Sequence, residues 1–467
     1  MPLAPIPLVT QSYDLNSRPA SATRLVNLFA ETLPEGSRAP FFLKSSPGTR
    51  VWRTFGVGPV YAMATIPGYL YVVSGSRFYR IPIDGSQAVD LGDIGLTAGP
   101  SIAVGAAEVV VCSPPNAYIA SHNGPLVQIT TGTGNFPTEG ASSVTTIDGY
   151  FIFTNYTGGY FFTSKLLSGS VFNGLDYARS ERRPDYVQHG IAHNGELWLW
   201  GQDASSVWYN AGAADFPFRP RAAGSVMEQG LGSAQTLAQL DGSIYWLGND
   251  RIIYRTQGYH AVRVSTHPIE EILTAYGDLR DITACAFQFA GHSFYSISIP
   301  STPDGGRTFL YDVATKQWHE RSSAGYGRWR IITAAQHGPY LLLGDAYSGN
   351  LYEVDSNDTN DAGAPMQRLA VLPNIVSHGP RAFMSRLEVE MEVGTEHSPG
   401  TVALDYSDDG GITWSPRRIT DTGAAGQTRR RVAYTRLGSF RQRVLRLSAT
   451  GFLNVYGVDA DIEKGST

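Results

Sequence analysis

Three short stretches decide the fold: Ile147-Asp148-Gly149-Tyr150-Phe151-Ile152-Phe153, His193-Asn194-Gly195-Glu196-Leu197-Trp198-Leu199-Trp200 and Leu240-Asp241-Gly242-Ser243-Ile244-Tyr245-Trp246. Each sets Asp-Gly or Asn-Gly directly before a strongly β-prone run. This is a hairpin signal, because a two-residue type I′ turn needs positive φ at both central positions. The same unit recurs more loosely around Gly68 (Tyr69-Leu-Tyr-Val-Val73), Gly105 (Val109-Val-Val111), Gly291 (Phe294-Tyr295) and Gly338 (Tyr340-Leu-Leu-Leu343). The seven glycines are separated by 37, 44, 46, 47, 49 and 47 residues. A further strand-like segment follows the hairpins, as at Phe78-Tyr-Arg-Ile81, Tyr160-Phe-Phe162, Val207-Trp-Tyr209, Ile252-Ile-Tyr254, Phe309-Leu-Tyr311 and Leu351-Tyr-Glu-Val354. Three or four strands repeated at roughly 45 residues predict β-propeller blades, which bury their faces only against neighbours and hide their edges by closing a ring. The repeat predicts a propeller over 51–380 with six or seven blades, the first unit being short. A pair of β-sandwiches is the competing arrangement.

The flanks read differently. Residues 1–50 are rich in Pro and Ser and lack periodicity, which predicts a docking arm ordered by whatever it lies on. From about Phe383 alternating segments (Leu387-Glu-Val-Glu-Met-Glu-Val393, Val402-Ala-Leu-Asp-Tyr406) lead through Gly410-Gly411 to Val455-Tyr-Gly-Val458, predicting a separate β-sandwich over 381–467. One helix interrupts the repeats. Thr266 stands as its cap and Pro268 in its first turn, Ile269, Ile272, Leu273 and Tyr276 share one face, and Gly277 stops it.

Composition agrees with an all-β globular chain. Of 467 residues, 42% are hydrophobic and 16% charged, with 51 Gly, 27 Pro and a net charge of −5. That excludes a coiled coil and extended disorder, while the length suggests two to four domains. The two cysteines, Cys112 and Cys285, have no Cys or His neighbours at metal spacing and read as buried thiols. The apolar start, with Pro2, Pro5 and Pro7 and no basic residue, is not a signal peptide, and no apolar run reaches the length of a membrane span. The expectation is a soluble chain folded in a reducing compartment. Basic residues are almost all arginine: the only lysines are Lys44, Lys165, Lys316 and Lys464. Arginine's planar fork suits interfaces, phosphates and carboxylates.

Chemistry-bearing motifs are few. Ser407-Asp408-Asp409-Gly410-Gly411-Ile412-Thr413-Trp414 fits the Asp-box pattern of sialidase propellers, but it lies outside the repeats and reads as a hairpin device. Residues 417–446 hold nine arginines (Arg417, Arg418, Arg429, Arg430, Arg431, Arg436, Arg441, Arg443 and Arg446) against one acid, Asp421. Such a run is a candidate interface for a protein partner or for phosphates, or a solvated strand face. His193, His292 and His337 sit beside the repeated turns, where structural roles are expected. No nucleophile elbow, phosphate loop or dinucleotide fingerprint is present. The sequence therefore offers no catalytic residues, no cofactor site and no metal site.

Several phrases together carry a resemblance. They are Arg24-Leu-Val-Asn-Leu28 with Glu31 and Pro34, Ser46-Pro-Gly-Thr49, Gly174-Leu-Asp-Tyr-Ala178 with Glu181–Asp185, and Glu196-Leu-Trp-Leu-Trp-Gly201. Val207-Trp-Tyr-Asn210, Phe216-Pro-Phe218, Gly291-His-Ser-Phe-Tyr295 and Tyr311-Asp-Val-Ala-Thr-Lys-Gln-Trp-His-Glu-Arg321 follow in order. The set resembles the packaged-DNA stabilisation (tail hub or nozzle) proteins of short-tailed bacteriophages. The resemblance implies a non-enzymatic protein of the virion tail, made in the host cytoplasm, with six copies around the DNA channel. Its implied partners are further copies of itself, the portal adaptor, a tailspike or fibre, a plug or needle, and genomic DNA passing without sequence specificity. On that reading the arm clasps the adaptor or a neighbour, and residues 1–20 are removable without loss of fold. A carbohydrate-binding or sialidase-like propeller is the alternative.

Overall fold

The structure is a computed structural model describing residues 3–37, 39–84, 86–97, 99–179, 186–213, 215–221, 226–302 and 305–465. Among these the chain is all-β, with one α-helix, His267–Tyr276, and two single 3-10 turns. The repeat unit is a four-stranded antiparallel sheet. Six units take consecutive strands, spanning 60–93, 101–129, 143–179, 189–220, 238–263 and 283–321. The seventh supplies three strands over 331–355 and borrows Gly48–Thr54 as its fourth, with Val51 opposite Tyr352. The innermost strand of this unit packs beside Val60–Ile66 of the first, so the ring closes with seven blades, the short first unit being a complete one.

The deciding turns have the conformation their residues favour. Asp148 and Gly149 have φ of 50° and 80°, Asn194 and Gly195 51° and 75°, Asp241 and Gly242 48° and 67°. Between blades, aromatic residues fill the wedges. Phe136, Phe153, Phe162 and Phe172 pack together in blade three, and Trp198, Trp200 and Trp246 join blades four and five. The helix lies where expected, with Ile269 and Leu273 buried and Gly277 at φ 89°. Thr266, however, makes no capping bond, and the first turn is held instead by Glu270, which accepts from Ser265 and Arg263.

The flanking segments differ from expectation. Residues 4–45 are not an arm awaiting a partner. Ala4–Ile6 pairs with Val458–Ala460, and the Leu28–Thr32/Phe41–Ser45 hairpin joins the same sheet through Leu43 and Val455. Ile6, Val9, Leu25, Leu28 and Leu43 are buried in one core with Leu387, Leu404, Leu445 and Leu447. Their spacing shows no period because the segment changes sheets several times, so no stretch keeps one face inward for long. Removing residues 1–20 would take Ile6 and Val9 out of that core. Nor does the sandwich start afresh near 381. Gln367–Val371 is one of its strands, and Ala22–Val26 lies between that strand and Gln317–Arg321 of blade six. A single hydrogen-bonded sheet thus runs from blade six into the sandwich.

Candidate functional site: the propeller–sandwich seam and the arginine rim

Where blade six, blade seven, the N-terminal strands and the sandwich meet, charged groups are buried against carboxylates, carbonyls and aromatic rings. Glu320, whose side chain is 4% exposed, takes a two-pronged contact from Arg24 at 3.0 and 2.7 Å and further bonds from Arg307 at 3.1 and 2.8 Å. Burial opposes its ionisation, but the charges of Arg24 and Arg307 prevail and hold its pKa at about 2. Asn27, at φ 56°, donates to the carbonyls of Gln367 and Ser322 and accepts from the Ser322 N–H, tying three segments with one amide. Arg368, fully buried, donates to the carbonyls of Ser46, Thr359 and Met366 and lies over Phe452. Burial lowers its pKa to about 9. Arg321 stacks on Trp329 at 4.1 Å and reaches the Pro47 carbonyl. Asp361 accepts from Thr49 and from Ser323.

A second cluster fastens the N-terminal hairpin to blade six. His292 sits between Asp312 at 2.9 Å and Glu31 at 3.1 Å, and Lys44 meets Glu31 at 2.7 Å. The hydrogen bond to Asp312, resisted by burial and assisted by Glu31, raises the pKa of His292. His319, buried next door against Phe29 and Phe294, is pushed down by burial to about 3.

The nine arginines of 417–446 do not form one patch. Arg443, 1% exposed, makes a two-pronged contact with Asp408 at 2.7 and 2.8 Å, donates to the Leu437 carbonyl, and is stacked between Tyr406 and Phe440. Arg446 holds Asp405 and lies 3.9 Å from the Trp414 ring centroid, with Arg417 on the other Asp405 oxygen at 3.6 Å. Arg418 donates to the Thr435 carbonyl. Arg430 and Arg431 pair loosely with Asp421 and Glu388 at 3.5 and 4.0 Å. Only Arg429, Arg436 and Arg441 are exposed without an ion pair among the described residues. Arg429, Arg430 and Arg431 line a cleft of about 480 Å³ over Val389, Met391 and Tyr456.

The Asp box is a hairpin clasp, as read. Asp409 accepts from the Ile412 and Thr413 amides and from the Ser407 and Thr413 hydroxyls, which holds its pKa far below the usual carboxylate range. Arg18 donates to the Gly411 carbonyl, so the N-terminal segment lies on the box. His193 bridges blades four and five through Gln239 and the Gly242 carbonyl, and His337 is buried beside Trp52. Cys112 and Cys285 are buried free thiols whose pKa burial raises, to about 12 for Cys285. No cluster of metal-ligating side chains occurs among the described residues, and no described helix is long and apolar enough to cross a membrane.

The sequence did not single out Arg307 or Arg368 as functional. Arg24, Asn27, Ser46, Thr49, Asp312 and Glu320 stood only inside phrases that carried the resemblance, and His292 was also read as structural beside a repeated turn; these residues meet at the seam and its neighbouring cluster. The Glu181–Asp185 phrase lies outside the described residues.

A propeller is fused through one sheet to a sandwich, with buried ion pairs at the joint. The bacteriophage P22 Gp10 β-propeller family model matches residues 6–359 and the P22 Gp10 β-sandwich model residues 368–463. The chain belongs to this family of phage stabilisation proteins. No curated protein sequence matches it. Among solved structures, it is similar to the WD40 propeller domain of Doa1 (9% identity, 67% of this chain and 98% of that one, TM-score 0.42). It is likewise similar to BamB from Moraxella catarrhalis (10% identity, 76% and 97%, TM-score 0.40). These remote likenesses add nothing to the family assignment.

Proposed function

We propose that the chain is the tail hub, or nozzle, of a short-tailed phage. Six copies form a ring below the portal adaptor, continue the DNA channel, retain the packaged genome and anchor tailspikes or fibres and a plug or needle. It acts without catalysis, and DNA passes it without sequence specificity. The observation that carries this reading is the continuous sheet from blade six into the sandwich, in a chain whose family is a phage virion family. A part that withstands the pressure of packaged DNA must not hinge between its domains, and paired buried charges in a shared sheet remove that freedom. In a ring each copy meets its neighbours through two different surfaces, and closure prevents an open filament. The exposed Arg429, Arg430, Arg431, Arg436 and Arg441 are the side chains available for contacts to acidic partner surfaces. Cryo-EM of the virion tail, reconstructed about its axis, tests the reading. Six copies beneath the adaptor are expected, and a peripheral position, or absence from the particle, would overturn it.

A further inference from the structure

At the end of the propeller where the innermost strands begin lies a funnel of about 650 Å³. Its wall repeats one kind of group. Gln202 and Asn249 occupy the same turn in blades four and five, two residues beyond Trp200 and Leu247, and Tyr156 stands in that turn of blade three. Gln188 immediately precedes the innermost strand of blade four, and Gln235 lies on the approach to that of blade five. The side-chain amides of Gln188 and Gln235 have no protein partner among the described residues, while Asn249 is oriented by Asp203 at 3.0 Å. Gln235 folds across Gly99, where any Cβ would collide with its amide. Arg251 is held at φ 68° by a turn in which its N–H donates to the Gly248 carbonyl.

The chemistry selects among ligands. A polyanion would meet a single cation without a carboxylate partner among the described residues, Arg251, too few for a run of charges. Arg280 is bound by both oxygens of Asp278, and Arg251 gives one guanidinium nitrogen to the Gly277 carbonyl. A peptide bound by strand addition needs an open strand edge, but the strands meet the funnel end-on with their ladders completed inside each blade. Side-chain amides each donate and accept, as sugar hydroxyls do. Tyr156, 43% exposed and braced edge-on by Tyr186, offers a ring to the apolar face of a pyranose. We propose that this funnel binds an oligosaccharide, a surface-recognition activity distinct from the structural role of the hub and not dependent on it.

The test uses the purified full-length chain on a microarray of bacterial-surface oligosaccharides, followed by calorimetry with the retained glycan. Replacing Gln202→Ala together with Asn249→Ala should weaken binding about tenfold, as expected for two lost hydrogen bonds. Tyr156→Ala should weaken it comparably. Arg429→Ala, on the sandwich, should leave it unchanged. Thermal unfolding of each variant guards against a folding defect. No retained oligosaccharide, or wild-type affinity in the Gln202/Asn249 double variant, would overturn the proposal. Incorporation of that variant into tails reports separately on the hub.

Discussion

The seam and the sandwich rim use the same side chain in opposite ways. At the seam Arg24, Arg307, Arg321 and Arg368 are committed to carboxylates, carbonyls and an aromatic face. On the rim Arg429, Arg436 and Arg441 project into solvent with no ion pair among the described residues. The division even cuts through the arginine-rich stretch, because Arg443 and Arg446 are enclosed by Asp408, Asp405, Tyr406 and Trp414. Richness in arginine along the chain thus says little about surface charge. What distinguishes the two sets is whether a distant segment folds a carboxylate, carbonyls or an aromatic ring against them.

If the seam holds the two domains together, breaking its centre should have the largest effect. Glu320→Gln leaves Arg24 and Arg307 facing a neutral amide in a buried site, where loss of one partner typically costs about 3–5 kcal/mol. The expected result is a large drop in stability by urea unfolding, with the sandwich and propeller losing their common transition. A loss below about 1 kcal/mol would mean that the shared sheet alone carries the joint.

Legibility followed local chemistry. The blades were readable because each carries its own turn signal, and Asp148-Gly149, Asn194-Gly195 and Asp241-Gly242 adopt the positive φ those residues suggest. The helix and the Asp-box clasp were readable for the same reason. The N-terminal segment was not, since Ile6, Leu25 and Leu43 serve a core assembled from strands hundreds of residues away. The seam was hidden likewise: Arg24 and Glu320 are separated by 296 positions, and no spacing rule joins them. Only the resemblance carried by whole phrases in order points there. Nothing in the arginine stretch itself reveals that Asp405 and Asp408 fold back onto Arg417, Arg443 and Arg446.

The His292 cluster gives the seam a pH signature of intermediate size. Its pKa is raised above the ordinary histidine value of 6.5, so its contribution is complete below about pH 6.5 and fades as pH rises through the raised value. Glu31 and Asp312 shift the other way: in both, burial opposes ionisation, but the hydrogen bonds to Lys44 and His292 outweigh it for Glu31, and those to His292 and Thr315 for Asp312. Their contributions are present above the unfolded carboxylate range and are lost in acid. The melting-temperature difference between wild type and His292→Gln should therefore be greatest near pH 5–6 and shrink above pH 7. A difference independent of pH would reduce His292 to a packing role beside Phe29 and Phe294.

The rim should show the smallest effect on stability and the clearest effect on assembly. Replacing Arg429, Arg430 and Arg431 with Ala removes only exposed side chains whose ion pairs are at 3.5 Å or longer. Such pairs contribute little, so unfolding should shift by less than about 0.5 kcal/mol. If these arginines meet an acidic partner surface, the same variant should yield fewer DNA-filled particles, with the difference from wild type shrinking as salt is raised. Unchanged infectivity would assign the rim to solvent. A large loss of stability would break the comparison from the other side, because the rim would then be doing what the seam does.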